Sequence, residues 1–399
     1  MSTTESPGTC PVHEFNHYAE MPFGEKIKFY DSLRDEAPLI RNNFANGHYI
    51  VTRYEEIMAV YQDAKTFSNS AVTVFNPEPT YRWIPEMLDG DEHRQWRKQL
   101  GPHFSPKAVE VLEDKVRSRA VELIKSIAAR GSCDFMQDFA NQYPSFIFLE
   151  LMGLPFEDLD KFLHWEDEIL HVSAGTAEET ARRREVATIA VTDYFDTIIA
   201  QRRIDPKDDL VSKALTFVID GKPVNDDDLR AFCLLMFMAG LDTVSATLGI
   251  TFLHLATHQD DRQSLVDDPD MIPVAIEEML RAHAIVLPSR KVMEDTEIAG
   301  CPIKAGEMIS VPLNLATRDD SVYDDAKDVI LDRHPNNHIA FGAGPHRCLG
   351  SHLARRELKI ALEEWHKLIP NYRLSDRSNP KEAGAQLGPS GDMFLEWEV

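Results

Sequence analysis

The spacing of apolar and polar positions changes several times along the chain, and each change marks an element. Residues 39–53 hold two β-favouring runs on either side of Asn46-Gly47, which predicts a hairpin. From Tyr54 to about Ser68 the period becomes helical. Residues 71–88 interrupt it, with Pro77, Pro79 and Pro85 interleaved with Phe75, Tyr81 and Trp83. A loop this apolar is expected to pack on the body of the protein. Most of 91–260 is helical in period, with breaks at Gly131 and Gly153-Leu154-Pro155 and a polar connection over 206–224.

The most apolar stretch predicts one long helix from about Asp226 to Thr257. Asn225 is placed to cap it, and Asp226, Asp227 and Asp228 suit the positive end of its dipole. Apolar residues lie all round it, so it is expected to be a central buried helix, roughly 45 Å long. Residues 290–313 alternate as strands around Ala299-Gly300 and Ala305-Gly306, and a glycine-punctuated loop at 341–350 leads into a helix over Ser351 to Leu368. The expectation is a mainly α fold with a minor β part. No repeat or linker divides the chain, so residues 1–37 read as an extension and first helix of the same domain as 38–399.

Composition narrows the partners. Sixty-six acids against 42 Lys and Arg give a formal net charge of −24, which disfavours nucleic acid and anionic membrane surfaces. The polar N-terminus lacks a signal pattern, and the run Ala231 to Leu241 is shorter than the 20 or so residues a bilayer requires. Cys10, Cys133, Cys233, Cys301 and Cys348 are scattered and odd in number, with neither disulfide-framework nor zinc spacing. A soluble, cytoplasmic, monomeric protein is expected.

Cys348 stands apart from the other four. It lies in Phe341-Gly-Ala-Gly-Pro-His-Arg-Cys348-Leu-Gly350, just before a helix. Glycines let backbone N–H groups turn towards a sulfur, a helix start supplies positive field, and His346 and Arg347 add to it. A lone cysteine in such a loop is more often a small buried hydrophobe. Two further signals lie elsewhere in the chain. Ala239-Gly240-Leu241-Asp242-Thr243 puts an acid and a hydroxyl in the middle of the apolar helix. Without partners their burial would cost several kcal/mol. Thr243 could simply bond back one turn and Asp242 reach an arginine or water. Alternatively, Gly240 leaves room beside a locally opened helix. The second signal is Glu278-Met-Leu-Arg281, whose spacing puts an acid and a base on one helix face.

The cysteine loop fits the cytochrome P450 signature Phe-x-x-Gly-x-x-x-Cys-x-Gly and its stricter bacterial form. From about Pro38 to Val399 the chain resembles that family, and most of all its soluble bacterial members of the camphor-hydroxylase type. The resemblance implies a P450 fold: one triangular domain with a long central helix and small sheets. It implies haem b (heme, iron protoporphyrin IX) with Cys348 as thiolate ligand. Phe341, Gly342 and Gly350 would shape the ligand loop, and His93, Arg97, Arg290 and His346 would anchor the propionates. Gly240, Asp242 and Thr243 would serve oxygen activation by delivering protons. Glu278, Arg281 and Arg333 would brace the loop. Tyr81, Trp83, Met236, Phe237, Ala239, Val286, Leu287 and Leu387 would wall a substrate pocket, and Arg82 could meet a carboxylate or face solvent.

The implied activity is hydroxylation of a small apolar molecule with O2, terpenoid-like in preference to a fatty acid or steroid. Electrons would come from a separate [2Fe–2S] ferredoxin and its reductase, docking near Arg97, Arg347, Arg355 and Arg356. A peroxide-using haem-thiolate enzyme and a non-catalytic haem sensor are the alternatives.

Overall fold

In the computed structural model the residues described are 10–16, 19–172, 176–382 and 387–399. The Asn46-Gly47 hairpin forms between Leu39–Asn42 and His48–Val51, with Gly47 at φ 72° as the turn requires. It is the middle of a six-stranded sheet in the order Val12–His13, Leu39–Asn42, His48–Val51, Met308–Ser310, Ser289–Val292, Phe67–Ser68. The strand reading of 290–313 therefore holds. The helix after Tyr54 ends at Gln62, earlier than its period suggested, because Phe67 and Ser68 pair with Val292 and Lys291 as an edge strand. The polar connection over 206–224 contains a short helix, Leu210–Ala214, and a two-stranded hairpin.

The long apolar helix is two helices in line. Asp226–Gly240 is capped by the Asn225 side chain, and Asp242–Thr257 follows after a break at Leu241. The 32-residue span is long and apolar enough to cross a bilayer, but half of its most apolar window is buried by the protein. It runs through the core, between the helix Gln142–Met152 on one side and Ser351–Leu368 on another. Ser351–Leu368 has the bounds its sequence predicts and lies along Glu113–Ala128. Its apolar face reaches Trp365, buried among Phe135, Phe139 and Phe252.

One cysteine expectation is corrected. Cys10 and Cys301 form a disulfide, with Cα atoms 6.1 Å apart. The two are 291 residues apart, so spacing could not pair them. Sheet pairing brings Val12–His13 alongside Leu39–Asn42 and so carries Cys10 to the apolar cluster that holds Cys301. Cys133 and Cys233 are free and buried.

Candidate active site

The loop before the last long helix is held in shape by its own backbone. The Cys348 N–H donates to the Phe341 carbonyl at 2.8 Å, and Gly342 and Gly344 take positive φ at 72° and 67°. A Cβ on Gly344 would sit against the Tyr61 carbonyl oxygen, so this glycine is where the loop docks on the helix Tyr54–Gln62. The Gly350 N–H faces the Cys348 sulfur. Cys348 is the one accessible free cysteine among the described residues, yet protein surrounds it. Burial pushes its thiol up, against the pull of the Gly350 N–H and of Arg97 and Arg347. A bound metal would favour the thiolate at this sulfur.

Beside the loop are two arginines with no counter-ion among the described residues. Arg290 is 4% exposed, bonds the Ser289 carbonyl and lies over the Tyr61 ring. Among the described residues neither Arg290 nor Arg97 has a carboxylate within ion-pair distance, and Arg97 reaches the Arg347 carbonyl at 2.5 Å. A buried guanidinium without an anion is costly. His93 and His346 stack at 4.1 Å, with His346 Nε2 held by Asp89 at 3.1 Å and its Nδ1 buried and unpartnered. Burial, with the neighbouring His346 and Arg97, lowers the His93 pKa to about 4. A single soft thiol with unpaired arginines and an orphaned imidazole nitrogen suits a metal-bearing cofactor with acidic side arms, as haem is.

The central helix faces this loop region with an anomaly. Ala239 is exposed although Phe237 and Leu241 on either side are each 1% exposed. Gly240 is not the source of the space. A Cβ there would meet Phe148 at 3.0 Å, so the glycine serves close packing on Gln142–Met152, which corrects its expected role. Gly240→Val is expected to destabilise the fold by about 1–3 kcal/mol through overpacking, visible as a lowered melting midpoint. Thr243 does bond back, its Oγ1 donating to the Ala239 carbonyl at 3.2 Å. Among the described residues Asp242 reaches neither arginine nor lysine within ion-pair distance. Its Oδ1 lies 3.3 Å from His171 Nε2.

The bracing network is present in full. Arg281 and Glu278, both 0% exposed, bond at 2.7 Å, and Arg333 Nε reaches the same carboxylate at 3.0 Å. Arg281 also donates to the carbonyls of Thr317, Ala326 and Asp328.

The residues expected to wall a pocket lie in several different surroundings. Phe237 packs into the core against Phe148 and Phe162, while Met236 is partly buried at the edge of the same cluster. Leu287 and Leu387 are buried in the cluster around the main sheet, with Val286 at its margin. Tyr81 and Trp83 lie 5.2 Å apart, and Tyr81 is exposed. Arg82 turns outward to Glu92 at 2.9 Å and Asp228 at 3.7 Å.

The expected positive docking patch is likewise reduced. Arg355 pairs with Glu277 at 2.7 Å and Arg356 with Glu113, which leaves Arg347 exposed and without an acid among the described residues. Glu277, Glu113, Asp89 and His171 were absent from the sequence reading. Each partners a residue at least 78 positions away, or, for His171, 71, and no local pattern announces them.

A mainly α fold around one accessible thiol, with unpaired cations beside it, defines a protein built to hold a metal-bearing, acidic cofactor. The cytochrome P450 family model matches residues 45–383. The chain is 32% identical to the probable cytochrome P450 127A1 of Sinorhizobium fredii, over 98% of this chain and 92% of that protein. It is 31% identical to a steroid C26-monooxygenase of Mycolicibacterium smegmatis, over 87% and 86% of the two chains. The crystal structure of CYP101J2 superposes with a TM-score of 0.88 at 32% identity, covering 99% of this chain and all of that one. The chain belongs to the cytochrome P450 family. It is a monooxygenase whose cofactor is haem b.

Proposed function

We propose that this P450 hydroxylates a small, apolar, terpenoid-like molecule, at a haem ligated by Cys348, with electrons from a separate [2Fe–2S] ferredoxin. The observation that carries the reading is an accessible thiol beside arginines that have no carboxylate partner among the described residues, together with an accessible Ala239 on the central helix. When bound, haem supplies activation of dioxygen. Cys348 would hold it, and Arg97, Arg290 and His346 would take its propionates, consistent with the two arginines having no carboxylate partner among the described residues and with the unpartnered His346 Nδ1.

The chain's own residues supply orientation and protons. Thr243 would position a proton donor at its Oγ1, and Asp242 would hold the proton to be passed. Thr243→Ala is expected to keep the fold and the haem but lower product formed per electron by about an order of magnitude or more, with peroxide released instead. Product and peroxide counted per electron check it; unchanged coupling rejects the role.

The substrate class rests on the aliphatic and aromatic character of Val286, Leu387, Met236, Tyr81 and Trp83, and on Arg82 being engaged elsewhere. A spin-state titration tests it. Monoterpenoids should shift the haem from low to high spin, while fatty acids and steroids should not. A shift given only by the latter two would overturn the assignment. For the redox partner, the exposed Arg347 would meet an acidic ferredoxin in an otherwise strongly acidic protein. We place the reaction in the cytoplasm.

A further inference from the structure

The Asp242 carboxylate has an unusual companion. The one cation within ion-pair distance of it among the described residues is His171, the last residue of the turn Asp167–His171, with Nε2 3.3 Å from Asp242 Oδ1. The His171 side chain is 46% exposed, whereas that of Asp242 is 14% exposed. A single titratable ring therefore spans the distance from solvent to an acid on the central helix. An arginine or lysine there would form a permanent ion pair. A histidine exchanges its proton near neutral pH.

We propose that His171 is the proton-entry residue for Asp242, taking protons from solvent and passing them from Nε2 to the carboxylate. This rests on the proton-holding role assigned to Asp242 above. The step balances simply. Imidazolium and carboxylate become neutral imidazole and carboxylic acid, and the acid then gives up the same proton towards Thr243. Each hydroxylation consumes one O2, two electrons and two protons and yields one alcohol and one water, so the ring must reload once per proton. Transfer itself permits the reloading. Once both partners are neutral, the charge attraction that holds the half-exposed ring is gone. The ring can turn to water, be protonated again and return to the restored carboxylate.

The surroundings suit this cycle. Asp242 faces His171 from the central helix, Asp167 from its own turn, and Arg184 from the helix Ala177–Ile204. The neighbouring Arg183 is already paired with Glu168. Burial works against the charged ring, but the hydrogen bond to Asp242 and the charges of Asp242 and Asp167 outweigh it and raise the His171 pKa. Glu166, one turn earlier and 9% exposed, is pushed well up by burial and by the charges of Asp242 and Asp167. Since the folded-state pKa of His171 is raised, its charged form is complete below the ordinary histidine value near 6.5 and is lost as pH rises through the raised value.

The first test needs no turnover. In the ferrous carbon-monoxide holoprotein with 13C-labelled histidine, the His171 Cε1–H resonance should titrate above the ordinary histidine value. In Asp242→Asn it should fall back to or below that value. An unshifted titration insensitive to Asp242→Asn overturns the pairing.

The second test measures product per electron against pH with the substrate found by spin-state titration. The wild type should lose coupling as pH rises through the His171 titration. His171→Gln should be about tenfold lower and lack that limb. His171→Arg should keep the charge pair but remain uncoupled, with an increased solvent deuterium isotope effect. Full coupling in His171→Arg, or an unchanged pH limb in His171→Gln, would show that His171 only braces Asp242 and would reject the proposal. Thr243→Ala separates the two failures. If it uncouples while the His171 variants do not, the proton role of the helix stands and only the entry residue is wrong.

Discussion

Cys348→Ala is expected to abolish the red-shifted Soret band of the reduced, carbon-monoxide-treated protein and to end substrate hydroxylation. The thiol is the one accessible free cysteine among the described residues, and the Gly350 N–H is aimed at its sulfur. Cys133 and Cys233 are buried, and Cys10 is tied to Cys301, so no other described sulfur can stand in. Haem retention is expected to weaken but not vanish, since Arg97, Arg290 and His346 do not depend on the sulfur for their positions. Hydroxylation should fall by several orders of magnitude, because electron donation from the thiolate is what favours O–O cleavage. A spectrum of the reduced CO complex decides the matter. A variant that keeps the red-shifted band would move the ligand to another residue.

Glu278→Ala is expected to be nearly as damaging, through folding and not through chemistry. It would leave Arg281, at 0% exposure, without its carboxylate and would release Arg333 and the Ile330 N–H as well. Removing one partner of a buried ion pair typically costs about 3–5 kcal/mol because the other charge stays buried. That is a large share of the roughly 5–15 kcal/mol by which a domain is stable. Burial alone would push the Glu278 carboxyl up, but Arg281, the Ile330 N–H and Arg333 together hold it below the usual range. The network's contribution is therefore present above the ordinary glutamate value and lost as pH falls through the lowered one. Denaturant unfolding of the variant should show a lower midpoint and little soluble haem protein. An unfolding free energy within about 1 kcal/mol of the wild type would mean the network is dispensable.

The two predictions differ in how readily they could be foreseen. The cysteine loop is ten contiguous residues, and its chemistry is carried by neighbours in sequence: two glycines at positive φ, a histidine, an arginine and a helix start. Glu278 and Arg281 are three apart on one helix, so the first half of their network is equally local. Arg333 was assigned to it by resemblance, and the structure places it there. The pocket wall was harder to read. Phe237 and Ala239 both belong to an apolar helix, and only the position of Phe148 and Phe162 shows which side of that helix is core. Gly240 was read as space for the same reason, when its open side is filled by Phe148.

By itself the sequence determined the helix and strand periods, the N-cap at Asn225, the helix from Ser351 to Leu368, the thiol loop and the acid–alcohol pair. These depend on spacings of one to ten residues, which backbone geometry converts directly into shared faces and turns. Tertiary structure alone decided which charges are free. It paired Arg355 with Glu277 and Arg356 with Glu113, and left Arg97 and Arg290 without an acid among the described residues. It also joined Cys10 to Cys301 and set His171 against Asp242. Each of these links residues 71 to 291 positions apart, and an ion pair or disulfide forms only where packing of the intervening chain brings its two ends within a few ångströms.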